Sequence, residues 1–161
     1  MVKKVTLYGI FSGLCIVVGY VEYIAFSNFS VPGIKIGLAN AVALLLLLTG
    51  DIKGAFFVNI VRILLSALLF SSPQTLIYSL TAGIISLTVM AIISKFKIFS
   101  VIGFSIIGAF VHNITQLLIA LFMLGKGILY YAPFLIFSAV LSGFITGSLA
   151  KIILKRIKTK L

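Results

Sequence analysis

The chain has 161 residues, 62% of them hydrophobic, and a mean hydropathy of +1.33. Too few polar side chains exist to cover a water-facing globule, which excludes a soluble domain and points to an integral membrane protein. The 13 Lys and Arg against 2 acidic residues give a formal charge of +11, but these cations sit at the ends of apolar runs. That placement suits membrane topology and anionic lipid headgroups, and argues against a nucleic-acid partner.

Windows of about 20 residues, cut at charges, Pro and Gly, predict six membrane helices at 5–26, 34–50, 54–71, 74–94, 99–124 and 128–150. The first follows Lys3 and Lys4 and contains Cys15, whose solitude rules out an intramolecular disulfide and a cysteine-based metal framework. Ala25 and Ser27 form a weak cleavage pattern, but the apolar run is long for a signal core and carries Tyr20, Glu22 and Tyr23, so it reads as a true span. Pro32-Gly33 reverses the chain into the second and shortest span, which holds Asn40, and Gly50-Asp51 turns it into the third, with Asn59, Arg62 and Ser66. Ser71-Ser72-Pro73 and Lys95-Phe96-Lys97 bound the fourth. The fifth carries His112, Asn113 and Gln116, and Gly125-Lys126-Gly127 leads to the sixth, with Ala139, Gly143 and Gly147 four apart.

Backbone groups in lipid must bond internally, and the segments are too long and too continuously apolar for barrel strands, so the expected fold is an all-α bundle of six helices in a single domain, 1–161. With the N-terminus cytoplasmic, ten basic residues fall inside (Lys3, Lys4, Lys53, Lys95, Lys97, Lys151, Lys155, Arg156, Lys158 and Lys160) and only Lys35 and Lys126 outside, so both termini are expected in the cytoplasm. Small residues four apart, as in Ser79 and Gly83 or along the last helix, read as helix packing. Gly9-x-x-x-Gly13 is the candidate for docking another membrane subunit.

Counting at 1.5 Å per residue places Arg62, His112 and Asn113 near mid-membrane, Asn40 a little outward, and Gln116 and Asn59 within about one turn of that level. His112, Asn113 and Gln116 share one sector of their helix; Asn59, Arg62 and Ser66 share one face of theirs. An arginine at mid-bilayer costs about 2.5–3.5 kcal/mol on insertion scales, so it needs acceptors. Glu22 and Asp51 are each several turns away by the same count, which leaves neutral amides, imidazole or backbone carbonyls to bond the guanidinium without neutralising it. The expected site for a small-molecule ligand is therefore Asn40, Asn59, Arg62, His112, Asn113 and Gln116, lining one chamber, with Phe or Tyr side chains covering the rest of the ligand. The alternative for the amides and the histidine is interhelical hydrogen bonding with no ligand.

The chain lacks a P-loop, a carboxylate cluster for magnesium and an acid placed to orient His112, so no catalytic residue, metal site or cofactor is expected.

Pro32-Gly-Ile-Lys-Ile-Gly-Leu-Ala-Asn40, Arg62-Ile-Leu-Leu-Ser66, Tyr78-Ser-Leu-Thr-Ala-Gly83 with Ser86, and Gly108-Ala109 leading to His112-Asn113 and Gln116 resemble the bacterial Gx transporter family, also described as heptaprenyl diphosphate synthase component I. The resemblance implies a six-helix fold similar to the substrate-binding S components of energy-coupling factor transporters, in a bacterial cytoplasmic membrane. It also implies uptake of a vitamin- or cofactor-like molecule, with a transmembrane coupling subunit and ATPase subunits as partners; the 14 Phe and 6 Tyr suit a flavin-like ligand as well as an isoprenoid- or quinone-related one. By that likeness Gly9 and Gly13 would meet the coupling subunit. The synthase description implies instead a non-catalytic membrane accessory component. A structural anchor of a redox or transport complex is the third reading.

Overall fold

The computed structural model describes residues 2–26, 37–70, 73–96 and 98–158. Six α-helices follow in order: α1 (Val2–Phe26), α2 (Asn40–Leu48), α3 (Ile52–Phe70), α4 (Pro73–Ser94), α5 (Val101–Leu124) and α6 (Ala132–Lys158), with a 3-10 helix at Lys126–Tyr131 before α6. The described residues contain no strand. The expected turns at Pro32-Gly33 and Ser71-Ser72, and the positions of Lys35, Lys97 and Lys160, lie outside the described residues.

Among the described residues, five segments are long and apolar enough to cross a membrane: Lys4–Ala25, Ile52–Phe70, Pro73–Ser94, Val101–Leu124 and Lys126–Arg156. The expected second span at 34–50 is represented by a helix of 9 residues, about 14 Å long, which is too short to cross alone. Its side chains explain why. Asn40-Ala-Val-Ala-Leu-Leu-Leu-Leu-Leu48 is apolar on nearly every side, and Ala41, Ala43, Leu44, Leu46 and Leu47 are buried, as befits a helix enclosed by its neighbours. The other helices carry their largest apolar groups outward: Leu68, Phe122 and Phe137 are 80%, 90% and 72% exposed, a surface that only lipid can cover.

Local chemistry sets the corners. After α2, the Asp51 amide donates to the Leu46 carbonyl (2.9 Å) and that of Gly50 to Leu47 (3.1 Å), with Gly50 at φ 88°, the left-handed conformation that closes a helix C-terminus. Asp51 then caps α3, its Oδ1 accepting from the Gly54 amide at 3.1 Å. Its Oδ2 accepts from the Tyr8 hydroxyl at 2.5 Å, which ties α1 to this corner. That bond, with help from Gly54 and the Lys4 charge, holds the carboxyl below its ordinary pKa despite the opposing effect of burial. Ser100 caps α5 by accepting from the Gly103 amide. Pro133 falls in the first turn of α6, where its missing N–H breaks no bond, and α6 therefore starts later than expected and runs past residue 150.

Short connections make successive helices antiparallel neighbours: α3 packs on both α2 and α4, α5 on α4 and α6, while α2 also touches α6 and α1 leans chiefly on α3. The small-residue stripe of α6 meets α5 at backbone distance. A Cβ on Gly143 would lie 2.6 Å from Ile106 Cα, and one on Gly147 would lie 2.8 Å from Ile102 Cα. Gly83 of α4 similarly accommodates Asn59 and Ile63 of α3. Gly9 and Gly13 have nothing within 4 Å and lie on the open face of α1.

Candidate ligand site around Arg62

Asn59 and Arg62, one turn apart on α3, face α2, whose first residue is Asn40. Arg62 Nη2 donates to Asn40 Oδ1 at 2.8 Å and to Asn59 Oδ1 at 2.9 Å, distances proper to charge-assisted bonds. Two donors in this cluster are shielded from solvent and have no acceptor among the described residues: Arg62 Nε and Asn59 Nδ2. A buried polar group without a partner is uncommon enough to need a reason, and two in one cluster mark it as unfinished.

The cluster stands between two clefts. The first, about 520 Å³ including its open side, lies among α2 to α6 and is lined by Asn40, Asn59 and His112 together with the hydroxyls of Ser86, Ser105 and Thr146. The second, about 480 Å³ on the same measure, lies among α1, α3 and α4 beside the start of α2, and takes in Arg62, Glu22, Ser66 and Ser79 with Ile63 and Phe70. Both have the mixed apolar and polar lining usual for small-molecule sites.

Asn40, Asn59 and Arg62 are thus brought together by direct hydrogen bonds. His112 joins Asn40 and Asn59 on the wall of the first cleft, whereas Arg62 lines the second, so the single chamber expected from depth and phase is divided. Asn113 turns the other way: its Nδ2 donates to the Leu135 carbonyl at 2.8 Å, joining α5 to α6. Gln116 lines neither cleft. The shared sector on α5 spans about 100°, wide enough for His112 to line the first cleft while Asn113 bonds α6.

Glu22 was expected several turns from Arg62, and the structure corrects this. It is 7% exposed, lines the same cleft as Arg62, lies within electrostatic reach of the guanidinium, and accepts from the Leu38 amide at 2.7 Å. A depth taken along straight, parallel helices omits the turn at Gly37 (φ 76°), which brings the start of α2 against α1, with the Asn40 amide donating to the Gly37 carbonyl at 2.8 Å. An acid inside an apolar span was itself the signal. The hydroxyls of Ser86, Ser105 and Thr146 had only a weak one, since serine and threonine are common in membrane helices and also serve interhelical bonds, as Ser86 of α4 does by donating to the Gly108 carbonyl of α5 at 2.7 Å.

A family model for heptaprenyl diphosphate synthase component I matches residues 11–153. The chain belongs to the heptaprenyl diphosphate synthase component I family. The matched region contains all of α2 to α5 and most of α1 and α6, and with them both clefts and every member of the Arg62 cluster. No curated protein and no solved structure matches the chain. Membership of the component I family agrees with the resemblance read from the sequence and favours the accessory reading over the transport reading.

Proposed function

We propose that this chain is a non-catalytic, membrane-embedded accessory component that holds a small ligand with an apolar body and a polar head, and that it serves a separate catalytic component of a prenyl diphosphate synthase. The observation that carries this is the Arg62 cluster: a guanidinium inside the bundle, bonded by two neutral amides, with its Nε–H unanswered, on the wall of a cleft lined besides by Glu22, apolar groups and hydroxyls. The family description supplies the synthase partner. The scarcity of acids supports a role outside the chemistry, because metal-assisted diphosphate transfer needs several carboxylates and the whole chain has 2. The distribution of Lys and Arg supports cytoplasmic termini, and a soluble partner would then act from that side.

Native mass spectrometry of the chain purified from membranes tests ligand retention. A bound small molecule should appear with the wild type and be lost with Arg62→Leu, while helix content and gel-filtration profile stay unchanged. Retention that is indifferent to Arg62→Leu would refute the site. The accessory role is tested by mixing the chain with its catalytic partner, whose prenyl-transfer rate should rise with the wild type and not with the variant.

A second reading, a substrate-binding subunit of an energy-coupling factor transporter, is favoured by one observation. Clefts open on both sides of the Arg62 cluster, as a path through the bundle would need. The open face of α1 at Gly9 and Gly13 would then receive the coupling subunit, with ATPase subunits beneath. Ligand uptake into cells carrying those partners, and not without them, would favour this reading.

A further inference from the structure

The cleft among α1, α3 and α4 carries opposite charges on its wall. Arg62 and Glu22 both line it, and Glu22 is fixed in place by the Leu38 amide at the threshold of α2. A ligand entering this cleft meets a donor in need of an acceptor, the Nε–H of Arg62, with a carboxylate on the same wall. Hydroxyls of Ser66 and Ser79 add neutral partners, and Ile63, Ala67, Phe70 and Leu76 supply apolar walls.

We infer that this cleft takes an amphiphile whose head is an uncharged oxygen acceptor, a carbonyl above all, and not a diphosphate. The inference rests on the proposed ligand-holding role and narrows it to one head-group class. A diphosphate brings several negative charges, and here it would face one guanidinium already answered by two amides and shadowed by a carboxylate. Burying such a charge without neutralising partners is strongly unfavourable. A carbonyl oxygen needs one good donor, and its attached ring or chain would lie against Phe70 and Ile63. The component described by the family's diphosphate product would on this view hold a different, neutral-headed molecule in the membrane.

Three probes with the same twenty-carbon tail separate the possibilities: geranylgeranyl benzoquinone, geranylgeranyl diphosphate and geranylgeraniol. Binding to the full chain in nanodiscs of zwitterionic lipid is measured by native mass spectrometry and equilibrium dialysis. With the wild type, the quinone should bind at least about tenfold more tightly than the diphosphate, a difference of about 1.4 kcal/mol. Glu22→Gln, nearly isosteric, removes the carboxylate and should raise affinity for the diphosphate about tenfold, with little change for the quinone. Arg62→Leu should weaken the quinone toward the level of the prenol. Preference of the wild type for the diphosphate, or a head-group ranking untouched by Glu22→Gln in a protein that melts at the wild-type temperature, overturns the inference while leaving ligand holding intact. Failure of the wild type to bind any probe or to retain any ligand from the membrane overturns both.

Discussion

Removing the acceptors of Arg62 one at a time should expose how much of the bundle's stability runs through this cluster. A hydrogen bond to a charged group contributes about 1.5–3 kcal/mol, and Asn40 and Asn59 each provide one, at 2.8 and 2.9 Å. Asn40→Leu should therefore destabilise by about 1.5–3 kcal/mol, since it leaves the guanidinium with one acceptor fewer and no water to replace it. Asn59→Leu should cost less, because the same change removes Asn59 Nδ2, a buried donor that is already unsatisfied. In an Arg62→Leu background the charge is gone, and Asn40→Leu should become nearly neutral. The Asn40–Arg62 coupling is then about 1.5–3 kcal/mol, above the average of about 0.6 kcal/mol for interhelical hydrogen bonds in membranes. Unfolding in mixed micelles of rising sodium dodecyl sulfate measures all four corners of the cycle. Circular dichroism is the suitable probe, as the chain has no Trp. A coupling below about 0.5 kcal/mol would mean the sites act independently and would refute the network.

Gly143→Ala should destabilise by about 1–3 kcal/mol, because its Cβ would sit 2.6 Å from Ile106 Cα and the two helix backbones must part; the same unfolding titration checks it. Gly13→Ala, with nothing within 4 Å, should leave stability unchanged, and a loss as large as at Gly143 would contradict the packing described. Leu at Gly9 and Gly13 should preserve the fold and ligand retention but abolish co-purification of a membrane partner, if α1 is the docking face; unchanged co-purification would place docking elsewhere. The Asp51 carboxyl is held below its ordinary pKa, so its stabilising effect is complete above the ordinary carboxylate range and is lost as pH falls through its lowered value. Melting temperature should accordingly drop on acidification below about pH 4. The Tyr8→Phe protein, lacking the largest cause of that shift, should drop less steeply, and identical slopes would be contrary evidence.

Long apolar runs made α1, α3, α4 and α5 legible to within about three residues and α6 in part, because lipid imposes length and hydropathy on every spanning helix. The half of the site on α3 was equally legible: Asn59 and Arg62 are three apart, and helical geometry alone puts them on one face. Asn40 was found from its depth. What depth and phase could not reveal was which neighbour each face would meet. His112 and Asn113 are adjacent in sequence, yet one lines a cleft and the other bonds an α6 carbonyl, a choice made by the rotation of α5 between α4 and α6. Glu22 was misplaced for another reason, the turn at Gly37 and the long reach of an arginine, neither of which a count along straight helices contains.

The most direct test of an intramembrane ligand held by Arg62 is photocrosslinking with a tailed benzoquinone carrying a diazirine, followed by peptide mapping. Labels should fall on α1, α3 and α4 around Glu22, Ser66 and Ser79, and should disappear with Arg62→Leu. Labels scattered over lipid-facing positions such as Leu68, Phe122 and Phe137, with the same yield in the variant, would contradict it.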